Sequence, residues 1–293
     1  LELKLTIPIF EPLSKISSTP IEGARVIIVD KEEISKNINK NIHEIIERYS
    51  GIKSRSIYGV GTSGSKTTID MRGMGAQAKS NVLLLINGQR LNNIDMSEVD
   101  YPIFPLESVE RIEILKGNSA AVLYGDSAIG GAINIITHSK IQNEEKNEII
   151  VKTGTYNSYG IAINNFQKID RYFFKTYFNH TETDGYRDQN EQQQNNITSD
   201  IRYSGDKGDH LLTLSFNEQI MSTPSDRSQD QLYTDRRGSD TPDDYINSIG
   251  GSLLYGSDYQ INKNIDLVLN SSVRFKDSFS DLQSSSYPSF NDT

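Results

Sequence analysis

The sequence has 293 residues and contains neither cysteine nor tryptophan. Without cysteine, the chain cannot form disulfides, a cysteine-based zinc site or a thiol nucleophile. Basic residues are outnumbered by acidic ones, 30 to 39, so the net charge is −9. This balance argues against a nucleic-acid-binding protein, because such proteins need a basic face to neutralise phosphates.

Long apolar runs are also absent, since no stretch approaches the roughly 18 apolar residues of a membrane helix. This absence does not exclude a membrane protein, because barrel strands alternate apolar and polar residues and give a weak hydropathy signal. The chain shows no signal peptide and begins at Leu1 instead of methionine. We therefore expect a processed or trimmed piece of a longer protein.

Residues 21–140 mix helix and strand patterns. Ala24–Val29 is a short apolar run typical of a strand, and Asp30, with a glutamate three positions later, predicts a helix with a capping box. A second helix is predicted over Ile38–Tyr49, because its isoleucines fall on one face. Gly51 follows where a C-terminal cap belongs.

Strand patterns dominate the remainder of this region. Thr67–Met71 alternates, and Val82–Ile86 is continuously apolar, as in a strand buried on both faces. Asn87-Gly88 then predicts a tight hairpin turn. Val109–Leu115 and Ala132–Thr137 complete the set, separated by a segment rich in small residues.

From residue 147 onward the pattern changes to repeated strand-like runs. We predict strands over 147–154, 158–167, 171–181, 195–204, 210–220, 246–257 and 265–277. Short polar turns alternate with long hydrophilic loops at 182–194 and 221–245, which is the pattern of an outer-membrane barrel. Within the third strand, Phe174, Thr176 and Phe178 share one face. A soluble β-sandwich also shows regular short strands and stays open on this pattern alone.

Two patterns that resemble functional motifs do not fit their surroundings. Gly59–Gly64 matches G-x-G-x-x-G, but a dinucleotide site needs a helix after it, and a β-branched run follows here. We expect a glycine loop between two strands. The four histidines are scattered and lack metal-ligand spacing; they are His43, His138, His180 and His210. We find no catalytic signature and predict that the protein is not an enzyme.

The loop at 221–245 is rich in carboxylates. Its aspartates are Asp226, Asp230, Asp235, Asp240, Asp243 and Asp244. Oxygen ligands of this kind bind calcium in other proteins, but the spacing of an EF-hand is absent. We predict a solvated acidic loop, with calcium binding as the less favoured alternative.

Arg72 and Lys116 each stand directly before a glycine at the end of a strand. A cation at such a position is either a solvated strand end or a member of a buried ion pair. The second case is costly unless carboxylates are placed opposite the cation.

Five segments of the first half, in order along the chain, resemble the plug domain of TonB-dependent outer-membrane receptors. They are Arg25–Ile34, Asn41–Ile52, Ile69–Gly75, Val82–Arg90 and Pro105–Thr137. The third is similar to the family's isoleucine-arginine-glycine motif. The fourth is similar to its hairpin, with Asn87 in place of the usual aspartate, and the fifth has Lys116 in place of the usual arginine.

The resemblance implies a transmembrane β-barrel, of about 22 strands in the family, with an N-terminal mixed α/β plug domain. We predict an N-terminal extension over residues 1–20, the plug over 21–140 and a truncated barrel of about seven strands over 141–293. The location would be the cell outer membrane of a Gram-negative bacterium, in contact with its lipid.

The resemblance also implies import driven by a TonB-type energy-coupling protein, without covalent chemistry, resident cofactor or metal site. The candidate coupling segment would add a strand to that partner, although an ordinary N-terminal tail is as consistent with the sequence. Its residues are Leu3, Lys4, Leu5, Thr6 and Ile7. By resemblance, Arg72 and Lys116 lock the plug to glutamates of the barrel wall, and a lysine, lacking the arginine fork, would hold less firmly.

The ligand predicted from family frequency is a ferric siderophore, with cobalamin or another metal chelate as the alternative. By resemblance, the ligand contacts the plug apex. The candidate residues there are Met74, Gln77, Lys79, Asn92, Asn93, Asp95 and Tyr101. A receptor that signals or binds at the surface, without import, is the other interpretation of the same fold.

Overall fold

The computed structural model describes residues 26–37, 40–56, 67–92, 99, 101, 106–117, 120–121, 127–137 and 146–282. They form an N-terminal unit (residues 26–137), built on a five-stranded sheet, and a seven-stranded antiparallel sheet over residues 146–281. The domain boundary that we predict between residues 140 and 141 lies outside the described residues.

The N-terminal unit is a mixed α/β fold. Its described elements are β1 (Val26–Val29), α1 (Lys31–Lys36), α2 (Ile42–Glu47), β2 (Ile52–Ser56), β3 (Thr67–Met71), α3 (Ala78–Asn81), β4 (Val82–Ile86), β5 (Gln89–Arg90), β6 (Arg111–Lys116) and β7 (Gly131–Ile136), with 3-10 turns at Gly75–Gln77 and Leu106–Ser108. The main sheet has the order β1-β6-β7-β4-β5, in which β4 and β7 are parallel.

This sheet is covered on both faces. Alternate residues of its central strands, such as Ile112 and Ile133, join the helices in one apolar core. Their neighbours, such as Leu83 and Leu115, pack on the opposite face against Ala120 and other small residues. The continuous apolar run of β4 is explained by this double burial, as predicted.

The first two helices begin where side chains cap their backbone N–H groups. Asp30 accepts the Glu33 N–H at 2.9 Å, but the Glu33 carboxylate accepts the Tyr49 hydroxyl instead of completing a capping box. The second helix begins at Ile42, not at residue 38. The Glu44 carboxylate accepts the N–H of Asn41 at 2.7 Å and so makes Asn41 the N-cap of this helix. Among the described residues, no helix has both the length and the apolar character needed to cross a membrane.

The glycine-rich motif connects two strands. Strands β2 and β3 pair antiparallel, from Ile52 opposite Met71 to Ser56 opposite Thr67. The predicted G-x-G-x-x-G segment lies outside the described residues, but the element that follows it is β3 and not a helix. The context of a dinucleotide site is therefore absent.

The second half contains the seven predicted strands, most of them longer than predicted. They are β8 (Lys146–Thr153), β9 (Tyr159–Ile169), β10 (Tyr172–Thr183), β11 (Gln192–Gly205), β12 (Gly208–Ser222), β13 (Tyr245–Asn262) and β14 (Ile265–Asp281). Each pairs with its neighbours in chain order. Two-residue turns connect them at one end, and the short loop 154–158 and the long loops 184–191 and 223–244 connect them at the other. The second long loop contains a helix that the sequence pattern did not predict, α4 (Gln229–Thr234).

One face of this sheet is apolar and exposed. Register pairs place Ile149, Ile163, Phe178, Ile197 and Phe216 side by side across five strands. These five side chains are 37–69% exposed. The row continues through Gly251 to Phe275, whose ring lies over the glycine: a Cβ there would stand 2.5 Å from the ring.

The opposite face buries many polar side chains. Asn179, Asn196, Asp200, Thr213 and Ser248 are each less than 9% exposed and face the N-terminal unit. A soluble sandwich would bury its apolar face and expose its polar face. The observed arrangement is the reverse, and it is the arrangement of a barrel with lipid outside and a polar interior.

We expect Ile197→Arg to destabilise the protein by about 2–4 kcal/mol, because it places a cation near the middle of the lipid-facing row. The measurement is the free energy of unfolding by urea in lipid vesicles. The matched control, Ile197→Leu, keeps an apolar side chain and should change this free energy by less than about 1.5 kcal/mol. Equal stability of the two variants would show that this face does not contact lipid.

Candidate functional site

Arg72 and Lys116 meet at one corner of the N-terminal unit, although they lie far apart in the chain. The Arg72 guanidinium lies against Gly117, where an added Cβ would be 3.4 Å from Nη1. The Lys116 ammonium donates to the carbonyl of Ser50, and the Arg72 N–H donates to the carbonyl of Gly51 at 3.3 Å. Within the described ranges, neither side chain forms an ion pair, so the corner presents two cations to any carboxylate brought beside it.

The loop that carries Arg72 is held by Asp70. One Asp70 carboxylate oxygen accepts the N–H of Met74 and the other that of Gly75, both at 2.8 Å. The loop turns sharply, with φ angles of 71° at Arg72 and 72° at Gly73. A positive φ is uncommon for arginine, so Asp70 positions the cation. The sequence signal for this role is an aspartate before a glycine-rich turn.

The predicted ligand residues separate into exposed, buried and undescribed groups. Gln77 and Lys79 are exposed on the 3-10 turn and on α3. Met74 is half-buried, with its sulfur against Gly130. Asn93 and Asp95 lie outside the described residues, as do the candidate coupling residues Leu3, Lys4, Leu5, Thr6 and Ile7.

Asn92 and Tyr101 lie in the interior of the unit. The Asn92 side chain accepts the N–H of Leu84 at 2.7 Å and donates to the carbonyl of Val82 at 3.0 Å. It therefore holds the edge of β4. Tyr101 is 1% exposed and packs on His43, with ring centroids 6.0 Å apart. Both side chains are buried in this conformation, and their predicted contact with a ligand stays a prediction.

His43 is buried beside Tyr101, and its Nδ1 has no hydrogen-bond partner among the described residues. Burial lowers the pKa of His43 below its ordinary 6.5, although Glu44 and Glu47 act in the opposite direction. The neutral imidazole is thus the form that the folded unit accommodates.

Asn87 ties the hairpin turn to the end of β7. Its amide nitrogen donates to the Thr137 hydroxyl at 2.8 Å, and its amide oxygen accepts the Thr137 N–H at 2.9 Å. In the next turn position, the Gly88 N–H donates to Asn134 at 3.0 Å, which in turn donates to the buried Glu113. An amide supplies one donor and one acceptor here, whereas a carboxylate only accepts, so an asparagine suits this site.

The N-terminal unit contacts the seven-stranded sheet through polar groups. Lys175 on β10 donates to the carbonyl of Thr137 at 2.6 Å, and Arg274 on β14 donates to the carbonyl of Leu91 at 2.6 Å. A cavity of about 110 Å³ lies between the two bodies and is lined by these residues. Alternation places both cations on the inward face, but their carbonyl partners follow only from the tertiary structure.

The two long loops of the seven-stranded sheet, 184–191 and 223–244, are held by arginines. Arg227, whose side chain is 5% exposed, pairs with Asp235 at 2.8 Å and with Asp240 at 2.9 Å. Arg187 donates to the carbonyl of Gly238 at 2.8 Å and so joins the two loops. Two of the aspartates that were considered as calcium ligands are thus paired with Arg227. Across the described ranges, no three His, Asp or Glu side chains converge into a metal-binding group.

A mixed α/β unit seated on the polar face of a sheet with an apolar outer face defines a plugged outer-membrane barrel. Residues 22–132 match the family model of the TonB-dependent Receptor Plug Domain. The chain is 38% identical over 114 residues to the vitamin B12 transporter BtuB of Photobacterium profundum. The aligned stretch covers 39% of this chain and 18% of that protein.

Two solved structures extend the comparison to the strands. The ferric yersiniabactin uptake receptor FyuA from Yersinia pestis superposes with a TM-score of 0.74 at 17% identity, over 89% of this chain and 42% of that chain. The unliganded ferric citrate transporter FecA gives a TM-score of 0.72 at 16% identity, over 89% and 41%. The chain spans less than half of the length of these relatives.

Residues 22–132 are thus a plug domain of the TonB-dependent receptor family, and the chain has the fold of the plug and part of the barrel of these receptors. The predicted fold class and location are confirmed, and the family is one of receptors, not enzymes. From here the N-terminal unit is called the plug and the seven-stranded sheet the barrel sheet.

We expect the plug to lose stability as the pH falls through 6.5, because unfolded His43 then binds a proton that the folded plug disfavours. The loss of stability increases as the pH falls, down to the lowered pKa of His43 in the folded plug. Above pH 6.5, His43 contributes no pH dependence to the stability. The measurement is hydrogen exchange of the Ile45 and Ile46 amides in the full-length protein from about pH 7.5 to about pH 5, corrected for intrinsic rates.

His43→Leu should remove this component of the pH dependence, whereas His210→Leu, on the barrel sheet, should leave it in place. An unchanged pH profile in His43→Leu would assign the acid sensitivity to other groups.

Proposed function

We propose that this protein imports a scarce metal chelate across the outer membrane, with a ferric siderophore as the leading ligand. The observation that carries the proposal is the position of the plug on the polar inner face of the barrel sheet. A chelate that crosses the membrane along the inner face of the barrel sheet must displace or remodel the plug. Import therefore needs an energy source that acts on the plug.

The contacts between plug and barrel sheet suit a body that moves. They include the hydrogen bonds from Lys175 to Thr137 and from Arg274 to Leu91, and each hydrogen bond to a charged group is worth about 1.5–3 kcal/mol. The apolar cores of the plug lie within the plug itself. Force applied to the plug would break these polar contacts while its two apolar cores stay closed.

Arg72 and Lys116 are proposed as the lock between the plug and carboxylates of the barrel wall. Their shared corner supports this role, because one carboxylate pair would neutralise both cations. Arg72 offers a bidentate fork and Lys116 a point charge. We propose that a TonB-type coupling protein binds Leu3–Ile7 by strand addition and pulls the plug away from this lock.

The exposed side chains of Gln77 and Lys79 are proposed to contact the ligand, with Met74 beside them. Lys79 attracts an anionic ferric chelate, and the names of the solved relatives, a ferric citrate transporter and a ferric yersiniabactin receptor, support this class. Cobalamin is the second candidate, because the relative that is 38% identical over the plug region is a vitamin B12 transporter. A receptor that signals or binds without import is the alternative from another class.

We expect energy-dependent uptake of one ligand when the full-length gene is expressed in a receptor-null host. The measurement compares radiolabelled ferric siderophores with radiolabelled cobalamin, with and without the proton-motive force, because only coupled import collapses when this force is removed. Binding without uptake would favour the signalling or surface-binding role, and uptake that is independent of the proton-motive force would contradict the proposal.

Lys79→Glu should weaken the binding of an anionic ferric chelate about tenfold, since it reverses a charge close to the ligand. The measurement is equilibrium binding to the purified full-length receptor. Lys207→Glu makes the same change in the two-residue turn between β11 and β12 and should have no effect. Equal effects of the two variants would reject a direct role for Lys79.

A further inference from the structure

An aromatic row crosses the outward face of the barrel sheet beside its two-residue turns. Register pairs Tyr172 with Tyr203 and Tyr203 with His210, and the centroids of these rings lie 5.1 and 6.0 Å apart. The His210 ring also lies 6.3 Å from Tyr255 and 6.4 Å from Tyr259. By alternation, all five side chains share the face of the exposed apolar row. Amphipathic rings at the end of an apolar band mark the level of the lipid head groups.

The turns next to this row carry paired charges. The turn between β9 and β10 is Asp170-Arg171, and the turn between β11 and β12 is Asp206-Lys207. The N–H of Ser204 donates to the carbonyl of Arg171 at 2.9 Å, which holds the two turns side by side. Short turns lie on the periplasmic side of an outer-membrane barrel. The charges therefore lie at the head groups of the periplasmic leaflet.

Arg171 joins the two turns to the aromatic row. Its guanidinium pairs with Asp206 at 3.1 Å and is also hydrogen-bonded to Tyr203. Because Tyr203 faces outward, the ion pair lies on the lipid side of the sheet. The Arg171 side chain is 46% exposed and that of Asp206 is 83% exposed. A phospholipid head group can reach both.

The exposed ion pair is suited to exchange for a ligand that carries both charges. Exposed ion pairs contribute little to stability, so separating Arg171 from Asp206 costs little. A phosphate accepts two hydrogen bonds from the Arg171 fork, and the Asp206 carboxylate is then left for a cation. One exposed pair is thereby replaced by two at the membrane boundary, where charges interact more strongly than in bulk water.

The head group that supplies both charges is phosphoethanolamine. It carries a phosphate for Arg171 and, for Asp206, a primary ammonium with three N–H donors like that of lysine. Phosphocholine has a quaternary ammonium without an N–H, and phosphoglycerol has no cation. Charge complementarity at the two turns thus selects one class of phospholipid.

We propose that Arg171, Asp206 and the aromatic row form a binding site for phosphatidylethanolamine of the periplasmic leaflet. The phosphate lies on Arg171 and the ammonium on Asp206, and the acyl chains run along the apolar face past Tyr172 and Tyr203. The site is separate from the proposed ligand contacts of the plug and does not depend on the proposed import. A lipid held here fixes the height of the barrel in the membrane.

The test is native mass spectrometry of the purified full-length receptor in detergent. Phosphatidylethanolamine, phosphatidylcholine and phosphatidylglycerol with the same acyl chains are titrated separately, and the Kd of the first bound lipid is measured. We expect phosphatidylethanolamine to bind about fivefold more tightly than the other two, because only its head group adds a charge-assisted hydrogen bond to Asp206.

Two substitutions separate the two halves of the head group. Asp206→Asn should abolish the preference for phosphatidylethanolamine, whereas Asp206→Glu, which keeps the carboxylate, should retain it. Arg171→Gln should weaken the binding of all three lipids, because each carries a phosphate. Lys263→Gln is the matched control: it removes one cation from the turn between β13 and β14, which contains no aspartate, and should bind lipids as the wild type does.

Equal affinity for the three lipids, or tighter binding of phosphatidylglycerol, would overturn the proposal. A preference for phosphatidylethanolamine that persists in Asp206→Asn would do the same. Both substituted side chains are exposed in turns, so we expect the variants to assemble. If Asp206→Asn does not, the wild-type comparison and Arg171→Gln decide the question.

Discussion

The rest of the structure depends on one constraint. Because lipid offers no hydrogen-bond partner, the backbone N–H and C=O groups of each strand must bond to those of the neighbouring strands. A polar backbone group left unpaired in hydrocarbon costs several kcal/mol. Strands β9 to β13 satisfy it by pairing on both sides in chain order, and β8 and β14 are the edges of the described sheet. Period-two alternation then sends one set of side chains to lipid and the other inward. The row from Ile149 to Phe275 and the buried Asn179, Asp200 and Thr213 are the two products of that geometry.

The inward polar face determines how the plug is held. The plug has its own two apolar cores and meets the buried polar side chains of this face partly through backbone carbonyls. Lys175 and Arg274 use these carbonyls. Contacts of this kind position the plug without merging its core into the barrel. That separation allows a plug to be stable and movable at the same time.

The plug obtains its functional corner from local backbone geometry. Asp70 closes a tight loop by accepting two backbone N–H groups, and Arg72 adopts a left-handed conformation within it. Backbone strain of this kind persists only where the surroundings over-determine it. Here the strain places a cation beside Gly117, next to Lys116 at the end of a strand from a distant part of the chain. The corner therefore joins two motifs that are separate in sequence.

Periodicity and turn chemistry in the sequence were enough to predict the seven strands, the double burial of β4 and the Asn87-Gly88 turn, because each depends on neighbours within a few residues. The start of α2 was predicted wrongly, because the helical spacing of the isoleucines extends back to Ile38, whereas the capping box of Asn41 and Glu44 begins the helix at Ile42. Asn92 and Tyr101 were predicted as ligand residues by resemblance, and only the tertiary structure shows that both are buried. The partners of Arg72, Lys116, Lys175 and Arg274 were likewise decided by tertiary structure alone, because a side chain's direction follows from local geometry whereas the group it meets is brought there by distant parts of the chain.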